Sequence, residues 1–468
     1  MRKTFMIAAT KSGSGKTTIT CALLKALKDR GLKVNSFKCG PDYIDPMFHR
    51  SVIGIPSKNL DLFFCDEEGL REVFYGDDNS EISVVEGVMG LYDGINVSSD
   101  EGSSYDIACK LDIPIVLVVD AHGMGRSIIP LINGFKSMDR ENLICGIILN
   151  RISGSFYETI KPVIEKECGL TVVGYVPKSA EMVFESRHLG LMLPGEVEAL
   201  SDKLSAAAGM VNETIDIDLL INSVAGECDS SGAIKLKSQK DSDLCLCGDV
   251  TGLRPLRLAV ARDEAFCFYY EENLEALKNA GFEIVEFSPV HDRILPENVD
   301  GLLLGGGYPE NHAGALSENK SMLKSIGDAI NNGLPTLAEC GGFMYLHKTL
   351  VTKDGESFEM AGAVDGAVHY TDHLVRFGYV ILRDKENRFL KDAEKGSIKG
   401  HEFHYFDSTD NGSDAICTKP VTGKTWEASH IGEDGKTWWG FAHLYYPSNP
   451  EFVNRFAHIC KKNAENRK

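Results

Sequence analysis

Short, continuously apolar runs alternate with helix-length intervals along most of this chain, and this alternation constrains the fold more than any other feature. Strands that are apolar throughout and separated by helix-length intervals are typical of a parallel sheet covered on both faces. A helix is predicted over about 16–29, ending before Gly31. The first half is therefore predicted to be a doubly wound α/β domain, with strands at residues 4–9, 33–38, 82–86, 114–120, 144–150 and 171–176.

A second alternating series follows a polar, irregular stretch at residues 226–248. Because such stretches are typical of linkers, we divide the chain there. The second series has predicted strands at 256–261, 283–287, 301–304 and 335–338 and predicted helices near 269–280 and 316–332. The sequence thus predicts two doubly wound α/β domains, at 1–225 and 251–468, with a linker at 226–250.

The composition excludes several classes of protein. A net charge of −19 argues against a nucleic-acid backbone as partner. No segment reaches the roughly 18 uninterrupted apolar residues of a membrane span, and residues 1–9 are too short for a secretory signal. A cytoplasmic protein that acts on small molecules is expected.

The 13 cysteines indicate reduced thiols, because the count is odd and they are scattered through apolar segments. The closest pair, Cys245 and Cys247, lacks a second pair at metal-ligand spacing. We interpret these two residues as linker thiols.

A glycine-rich loop, Thr10-Lys-Ser-Gly-Ser-Gly-Lys-Thr17, stands between the first predicted strand and the first predicted helix. In this setting backbone N–H groups surround phosphate oxygens, and the helix N-terminus adds positive potential. Lys16 would contact the transferred phosphoryl group, and the Thr17 hydroxyl would bind Mg²⁺. Thr10 replaces the first glycine of the P-loop pattern, so a glycine-rich turn that binds nothing is the alternative. The predicted nucleotide-binding residues are Gly13, Gly15, Lys16, Thr17 and Thr18.

Carboxylates follow the next strands. Glu86 closes a predicted strand, where it would face the phosphates and hold Mg²⁺ together with Thr17. Asp42 and Asp45 flank Tyr43-Ile44 on a Pro-rich loop that could bind metal or orient a large flat substrate. The alternatives are a solvated acid or helix cap for Glu86 and ordinary turn chemistry for the two aspartates.

A cysteine, Cys340, ends a predicted strand directly before Gly341-Gly342. A nucleophile on such a turn is expected to be exposed, with its pKa lowered by a helix N-terminus. Free N–H groups of the nearby glycines would form an oxyanion hole. The alternative is a buried, inert thiol. The predicted oxyanion residues are Gly306, Gly307 and Gly341.

The thiol needs a base, and His443 is the candidate. His401 and His404 are spaced like metal ligands, but no further Cys or His follows at ligand spacing, which argues against a metal role. The glycine-rich loop at 10–17 would activate an acid with ATP, and the site at Cys340 would release ammonia from glutamine. Together they indicate an enzyme that makes amides.

With these motifs in place, the chain resembles the cobyrinic acid a,c-diamide synthase family over nearly its whole length. So many ordered matches are more specific than either site alone. The matching stretches are residues 10–17, 40–46, 59–61, 85–94, 120–127, 187–191, 259–266, 305–310, 339–342 and 400–405.

The resemblance implies a dethiobiotin synthetase-like P-loop domain followed by a class I glutamine amidotransferase-like domain. It implies that ATP phosphorylates the a and c carboxylates of a tetrapyrrole-derived macrocycle, and that ammonia from glutamine converts each acyl phosphate to an amide. The roles that it implies are ATP and Mg²⁺ binding by Lys16 and Thr17, synthetase catalysis by Asp45, Glu86 and Asp93, substrate binding by Asp42, Tyr43 and Ile44, and glutaminase chemistry by Cys340 and His443.

Two departures from the family pattern concern the base. The family tail often reads His-x-His, but Tyr445 takes the second place here. The Glu that many class I amidotransferases carry two residues after the histidine is also missing, so the third member of a triad stays open, with Glu402 as a guess.

Other functions remain open at this point. A synthase acting on nickel sirohydrochlorin shares these motifs, whereas a cobyric acid synthase is disfavoured by the loop at 41–46. A switch ATPase with an inactive second domain is disfavoured by the intact Cys340. A monomer or homodimer is expected, and a passage carrying ammonia between the sites is a hypothesis.

Overall fold

The computed structural model describes residues 2–76, 79–182, 194–228, 254–390 and 396–466. The chain divides into two compact units, residues 1–240 and 241–468. The matching stretch at 187–191, the pair Cys245 and Cys247, and most of the predicted linker lie outside the described residues. None of the helices within the described ranges has the length and apolar character needed to cross a membrane.

The first unit is built on a sheet of eight strands in the order β3-β2-β4-β1-β5-β6-β7, with β8 paired to β1. All pairs are parallel except β8 with β1. The strands are β1 Arg2–Ala9, β2 Val34–Cys39, β3 Ser57–Leu60, β4 Ile82–Glu86, β5 Ile115–Asp120, β6 Ile144–Asn150, β7 Thr171–Val176 and β8 Gly226–Cys228.

Helices cover both faces of this sheet, and each face has its own apolar core. Helices α3 to α6 contribute to one core, and α1, α7 and α8 contribute to the other. A doubly wound fold follows, as the continuous apolar strands predict. The helices are α1 Lys16–Asp29, α2 Ile44–Phe48, α3 Glu67–Tyr75, α4 Ser104–Leu111, α5 Ile128–Met138, α6 Gly154–Cys168, α7 Pro194–Thr214 and α8 Ile217–Leu219, with π-helical turns at His49–Ile53 and Leu220–Val224.

The second unit is built on a five-stranded parallel sheet. Its strands lie in the order β11 (Phe282–Phe287), β9 (Leu256–Ala261), β12 (Gly301–Leu304), β14 (Thr336–Glu339) and β23 (Thr437–Gly440). Its first strands are β9 Leu256–Ala261, β10 Phe266–Phe268, β11 Phe282–Phe287, β12 Gly301–Leu304, β13 Gly306–Gly307 and β14 Thr336–Glu339. Its helices are α9 Glu271–Asn279, α10 Ala313–Glu318, α11 Lys320–Asn331, α12 Gly341–Leu346 and α13 Pro450–Asn466, with 3-10 turns at Pro309–His312 and Tyr446–Ser448.

Two further sheets lie between α12 and α13, in the orders β16-β15-β17-β20 and β22-β21-β18-β19-β24. Most of their strand pairs are antiparallel, and these two sheets were not predicted from the sequence. Their strands are β15 His347–Val351, β16 Ser357–Glu359, β17 Val364–Tyr370, β18 Arg376–Asp384, β19 Ser397–His404, β20 Phe406–Ser408, β21 Ala415–Thr418, β22 Thr425–Ala428 and β24 His443–Leu444, and β23 Thr437–Gly440 joins the parallel sheet.

The predicted fold class is confirmed, and several element bounds agree with the prediction to the residue, including those of α1, β4, β6 and β12. The prediction of a single long helix over 316–332 is wrong in detail. The structure has two helices there, because Asn319 ends α10 and its side chain accepts from the N–H of Met322 to begin α11.

Candidate functional site

The predicted phosphate loop connects β1 to α1 at the carboxyl edge of the first sheet. Gly13 and Gly15 have φ angles of 75° and 91°, a region that glycine enters without steric cost. A Cβ at Gly15 would lie 2.3 Å from Nδ2 of Asn150. That amide donates to the carbonyl of Ser14 at 2.7 Å. The loop is therefore held against the end of β6.

A cavity of about 530 Å³ opens over this loop, and all five predicted nucleotide-binding residues line it. Arg151, another lining residue, donates to the carbonyl of Gly13 at 3.0 Å and to Asp120 at 3.1 Å. Several lining residues were not predicted from the sequence. Their position at the end of predicted strands or within three residues after them was the available signal, because the carboxyl ends of parallel strands share one edge. These residues are His122, Asn150, Arg151, Pro177, Lys178 and Ser179.

A buried ion cluster lies beside the loop. The Nζ atom of Lys38 is 2.6 Å from Oδ2 of Asp45 and 2.7 Å from Oε1 of Glu86. Thr17 donates from Oγ1 to the same oxygen of Glu86 at 2.6 Å. The structure thus brings the three predicted magnesium ligands together around a lysine that was not predicted to belong to the site. Lys38 pairs in register with Glu86 on the neighbouring strand.

Burial and charge set the protonation of this cluster. Burial, together with the Lys38 ammonium, lowers the pKa of Lys16 to about 8. Burial raises the pKa of Glu86 to about 7. For Lys38 itself burial favours the neutral form, but the carboxylates of Asp45 and Glu86 outweigh it and raise its pKa well above the ordinary value. Lys38 is therefore a buried cation at neutral pH.

The predicted substrate loop folds against this cluster. Asp42 accepts hydrogen bonds through Oδ1 from the N–H groups of Ile44 at 2.8 Å and Asp45 at 3.2 Å, which fixes the first turn of α2. Burial raises the pKa of Asp42 to about 6. Tyr43 is buried. The loop is thus anchored by its own backbone next to the carboxylates.

Asp93 lies at the same edge of the sheet. Its Oδ2 accepts from the N–H of Gly90 at 2.8 Å, and its charge acts on the ammonium of Lys16. Lys16 in turn donates to the carbonyl of Met89. Met89 and Asp93 therefore both act on the ammonium of Lys16.

The donor atoms present fit a magnesium ion. Oε2 of Glu86 is buried and has no hydrogen-bond partner among the described residues, although the His49 ring lies 3.9 Å away. Hydroxyl and carboxylate oxygens of Thr17, Asp45 and Glu86 are the ligands that this cation prefers. The buried ammonium of Lys38 supplies a positive charge between the same carboxylates.

In the second unit, Cys340 stands between β14 and α12 with φ 47° and ψ −105°. Its N–H donates to the carbonyl of Gly440 at 2.8 Å. The expectation of an exposed thiol with a lowered pKa is wrong. The residue is buried, and burial, followed by the charge of Glu310, raises the pKa of the thiol above its ordinary value. The N–H of Gly341 acts in the opposite direction and is outweighed.

The three predicted oxyanion glycines lie around this turn. A Cβ at Gly341 would lie 3.0 Å from the backbone nitrogen of Gly307, and one at Gly306 would lie 2.1 Å from Cε1 of His443. A Cβ at Gly342 would lie 2.1 Å from the carbonyl oxygen of Leu304. Only glycines allow the cysteine turn, the glycine run and the histidine to approach this closely.

His443, on β24, is buried in this cluster. Burial, followed by the neighbouring rings of His401 and His404, lowers the pKa of His443 to about 3. The imidazole is therefore neutral at neutral pH and can accept a proton. The Cys340 thiol is neutral as well, because burial raises its pKa.

Glu339, which precedes the nucleophile, ties the two catalytic strands together. Its Oε1 accepts from the hydroxyl of Tyr446 at 2.7 Å, and its Oε2 accepts from the N–H of Leu444 at 3.3 Å. Burial raises the pKa of Glu339 to about 8. Glu339 was not predicted from the sequence as a functional residue. The available signal was an acidic residue directly after a predicted apolar strand.

The rival histidines lie on the neighbouring strand β19. His401 pairs directly with His443. Glu402 follows His401 in β19. Because successive side chains of a strand point to opposite faces, Glu402 lies on the face opposite to the one that His401 and His443 share. Burial raises the pKa of Glu402 to about 7. Its assignment as the third member of a triad stays a prediction.

Comparison with known proteins agrees with this division into two centres. Residues 5–189 match the model of the CobQ/CobB/MinD/ParA nucleotide binding domain, and residues 257–449 match that of the CobB/CobQ-like glutamine amidotransferase domain. Both candidate centres lie within these matches.

Full-length relatives are also found. Proteins named cobyrinate a,c-diamide synthase are 40% identical in Caldanaerobacter subterraneus (98% of this chain and 99% of the relative) and 38% identical in Priestia megaterium (97% and 96%). The one from Picrophilus torridus is 38% identical over 97% of this chain and 98% of its own length. This chain belongs to the cobyrinate a,c-diamide synthase family.

Tyr445 is the residue that departs from the His-x-His tail that the resemblance implies. Here its ring is buried and packs edge-on against Tyr270 at a centroid distance of 5.7 Å. This aromatic contact supports the strand that carries His443.

Proposed function

We propose that this chain is a cobyrinate a,c-diamide synthase, a carbon-nitrogen ligase that uses glutamine as amide donor. It would consume ATP to amidate the a and c carboxylates of cobyrinic acid in the cytoplasm. The observation that carries the proposal is the presence in one chain of a phosphate cavity beside a carboxylate cluster and of a buried cysteine and histidine. The full-length relatives favour the corrin substrate over nickel sirohydrochlorin.

The first half-reaction belongs to the nucleotide cavity. The N–H groups of the P-loop and the ammonium of Lys16 would hold the phosphates of ATP, while Lys38 would neutralise charge that develops as the phosphoryl group moves to the substrate carboxylate. Mg²⁺ held by Thr17, Asp45 and Glu86 would supply further charge neutralisation. The product is an acyl phosphate, which carries the leaving group that a carboxylate lacks.

The second half-reaction belongs to the cysteine centre. His443 would take the proton from the Cys340 thiol as sulfur attacks the glutamine amide carbon, and the N–H groups of Gly307 and Gly341 would stabilise the oxyanion. His443 then returns the proton to the amide nitrogen, the C–N bond breaks and ammonia leaves. Water hydrolyses the remaining thioester to glutamate.

Product mass tests the proposal. Purified protein receives MgATP, glutamine and, in separate reactions, cobyrinic acid or nickel sirohydrochlorin. We expect conversion of two carboxylates to carboxamides on cobyrinic acid. Equal conversion of nickel sirohydrochlorin contradicts the substrate assignment, and no amide on either macrocycle contradicts the proposed activity.

A further inference from the structure

Asn273, in the first turn of α9, is a buried polar residue that takes no part in the two half-reactions. Its side chain belongs to a residue that is only 5% exposed. Asparagine is a weak helix former and lies mostly on protein surfaces, so a buried asparagine in a helix needs partners for both ends of its amide. The structure places both partners on the chain segment that directly follows His443.

The amide of Asn273 holds the main chain on both sides of Tyr445. Its Nδ2 donates to the carbonyl of Leu444 at 2.7 Å, and its Oδ1 accepts from the N–H of Tyr446 at 2.8 Å. Both hydrogen bonds are buried. Because a single amide group makes both bonds, the carbonyl and the N–H keep a fixed separation and direction relative to α9.

Two further elements bind the same segment. The N–H of Leu444 donates to Oε2 of Glu339, at the end of β14, at 3.3 Å. The N–H of Tyr445 donates to the carbonyl of Lys399, in β19, at 2.9 Å. The three N–H groups of residues 444–446 are therefore bound in turn by β14, β19 and α9.

The position of this segment matters because His443 sits where there is little space. A Cβ at Gly306 would lie 2.1 Å from Cε1 of its ring, and a Cβ at Gly400 would lie 2.8 Å from its carbonyl oxygen. The strand that carries the residue, β24, contains only His443–Leu444, which is shorter than an ordinary strand. A general base must also stay within hydrogen-bond reach of its proton.

We propose that Asn273 is a positioning residue of the glutaminase centre, which holds segment 444–446 and thereby keeps the imidazole of His443 in place beside Cys340. Asn273 acts through the main chain and leaves the chemistry to the cysteine and the histidine. The inference rests on the proposed function, because it concerns the base that cleaves glutamine. It holds whichever side chain completes a triad.

Asn449 provides a matched control in the same unit. It is 8% exposed, its Nδ2 donates to the carbonyl of Ser397 at 3.0 Å, and its Oδ1 accepts from the N–H of Glu451 at 3.2 Å. Its amide thus also joins a strand to a helix. Ser397, however, begins β19, four residues before the position that pairs with His443.

The test measures glutamate release from glutamine by the full chain, with each rate divided by the folded fraction of the second unit. Tryptophan fluorescence reports that fraction, because all three tryptophans lie in this unit. Asn273→Leu removes both hydrogen bonds at similar volume. Asn273→Ala is the milder change, because water can enter the space and bind the same backbone groups. Asn449→Leu and Asn449→Ala are the controls.

We expect kcat per folded unit to fall about a hundredfold in Asn273→Leu and at least about tenfold in Asn273→Ala, because a small displacement of a base is costly. The KM for glutamine should stay within about twofold, since the groups that bind glutamine are not moved. Both Asn449 variants should keep kcat and KM within about twofold of the unmodified protein. Amidation supported by ammonium chloride should be unchanged in all four variants.

Two results would overturn the inference. The first is an unchanged kcat per folded unit in Asn273→Ala, or an equal loss in the Asn449 variants, either of which leaves Asn273 a purely structural role. The second is a rise in KM without a loss of kcat, which assigns the residue to glutamine binding. If the unmodified protein releases no glutamate from glutamine, the proposed function fails instead.

Discussion

Lys38 lies at the centre of the carboxylate cluster in the first unit, yet its sequence context gives little indication of that role. It lies near the end of β2, whose residues Val34–Cys39 mix polar and apolar side chains, and its partners Asp45 and Glu86 lie on other elements. Only the pairing of β2 with β4 brings its ammonium to both carboxylates. The sequence predicted the acids from their place after strands, but the cation between them depends on sheet order.

We expect Lys38→Met to lower the free energy of unfolding of the first unit by about 3 to 5 kcal/mol, because two buried carboxylates lose their cation. Lys25→Met is the control, since its ion pair with Asp29 is partly exposed and should cost about 0.5 kcal/mol or less. All three tryptophans lie in the second unit. Urea unfolding followed by circular dichroism should therefore show the loss, while tryptophan fluorescence should not.

Equal, small effects of the two lysine substitutions would contradict the assignment of Lys38 as a buried counter-ion. Amidation should also fall in Lys38→Met with either nitrogen donor, because the residue belongs to the synthetase centre.

The pH dependence of glutaminase activity tests the neutral imidazole of His443. A histidine whose pKa is lowered to about 3 stays a competent base far below the ordinary value of 6.5. We therefore expect kcat/KM for glutamine to stay constant as the pH falls from 7 to about 5 and to decline only in stronger acid. Initial rates of glutamate release measure this. A decline with an apparent pKa near 6.5 would show that the ring is charged more readily than its burial implies.

At the scale of elements, the sequence predicted the parallel strands well and the antiparallel ones not at all. Strands such as β4 are buried on both faces and read as continuous apolar runs. By contrast, β22 alternates exposed and half-buried residues over only four positions, a pattern too short to separate from a loop. These sheets matter, because β19 and β24 carry His401, Glu402 and His443.

The close approach of β13 and β24 yields a prediction at this scale. We expect Gly306→Ala to reduce glutamine-dependent activity at least about a hundredfold, because the new methyl group would displace the ring of His443. Gly314→Ala in α10 is the control, since its Cβ would meet only Phe358 at 3.8 Å. Glutamate release reports the effect. Amidation supported by ammonium should be unchanged in both, and a fully active Gly306→Ala enzyme would place the base elsewhere.

At the scale of the whole molecule, the sequence predicted two α/β units and a chemistry for each. Their division at residue 240 falls among residues outside the described ranges, so the domain boundaries at 225 and 251 stay predictions. The passage for ammonia between the sites also stays a hypothesis, because motifs describe each site and not the route between them.

The central claim is that one unit activates the acid and the other supplies nitrogen, and exchange of the nitrogen donor in Cys340→Ser tests it most directly. Amide formation on cobyrinic acid is measured with glutamine and then with ammonium chloride, with Lys16→Ala as the reciprocal variant. We predict that Cys340→Ser loses amidation from glutamine but keeps it from ammonium, whereas Lys16→Ala loses both and still releases glutamate. Full glutamine-dependent amidation by Cys340→Ser would contradict the account.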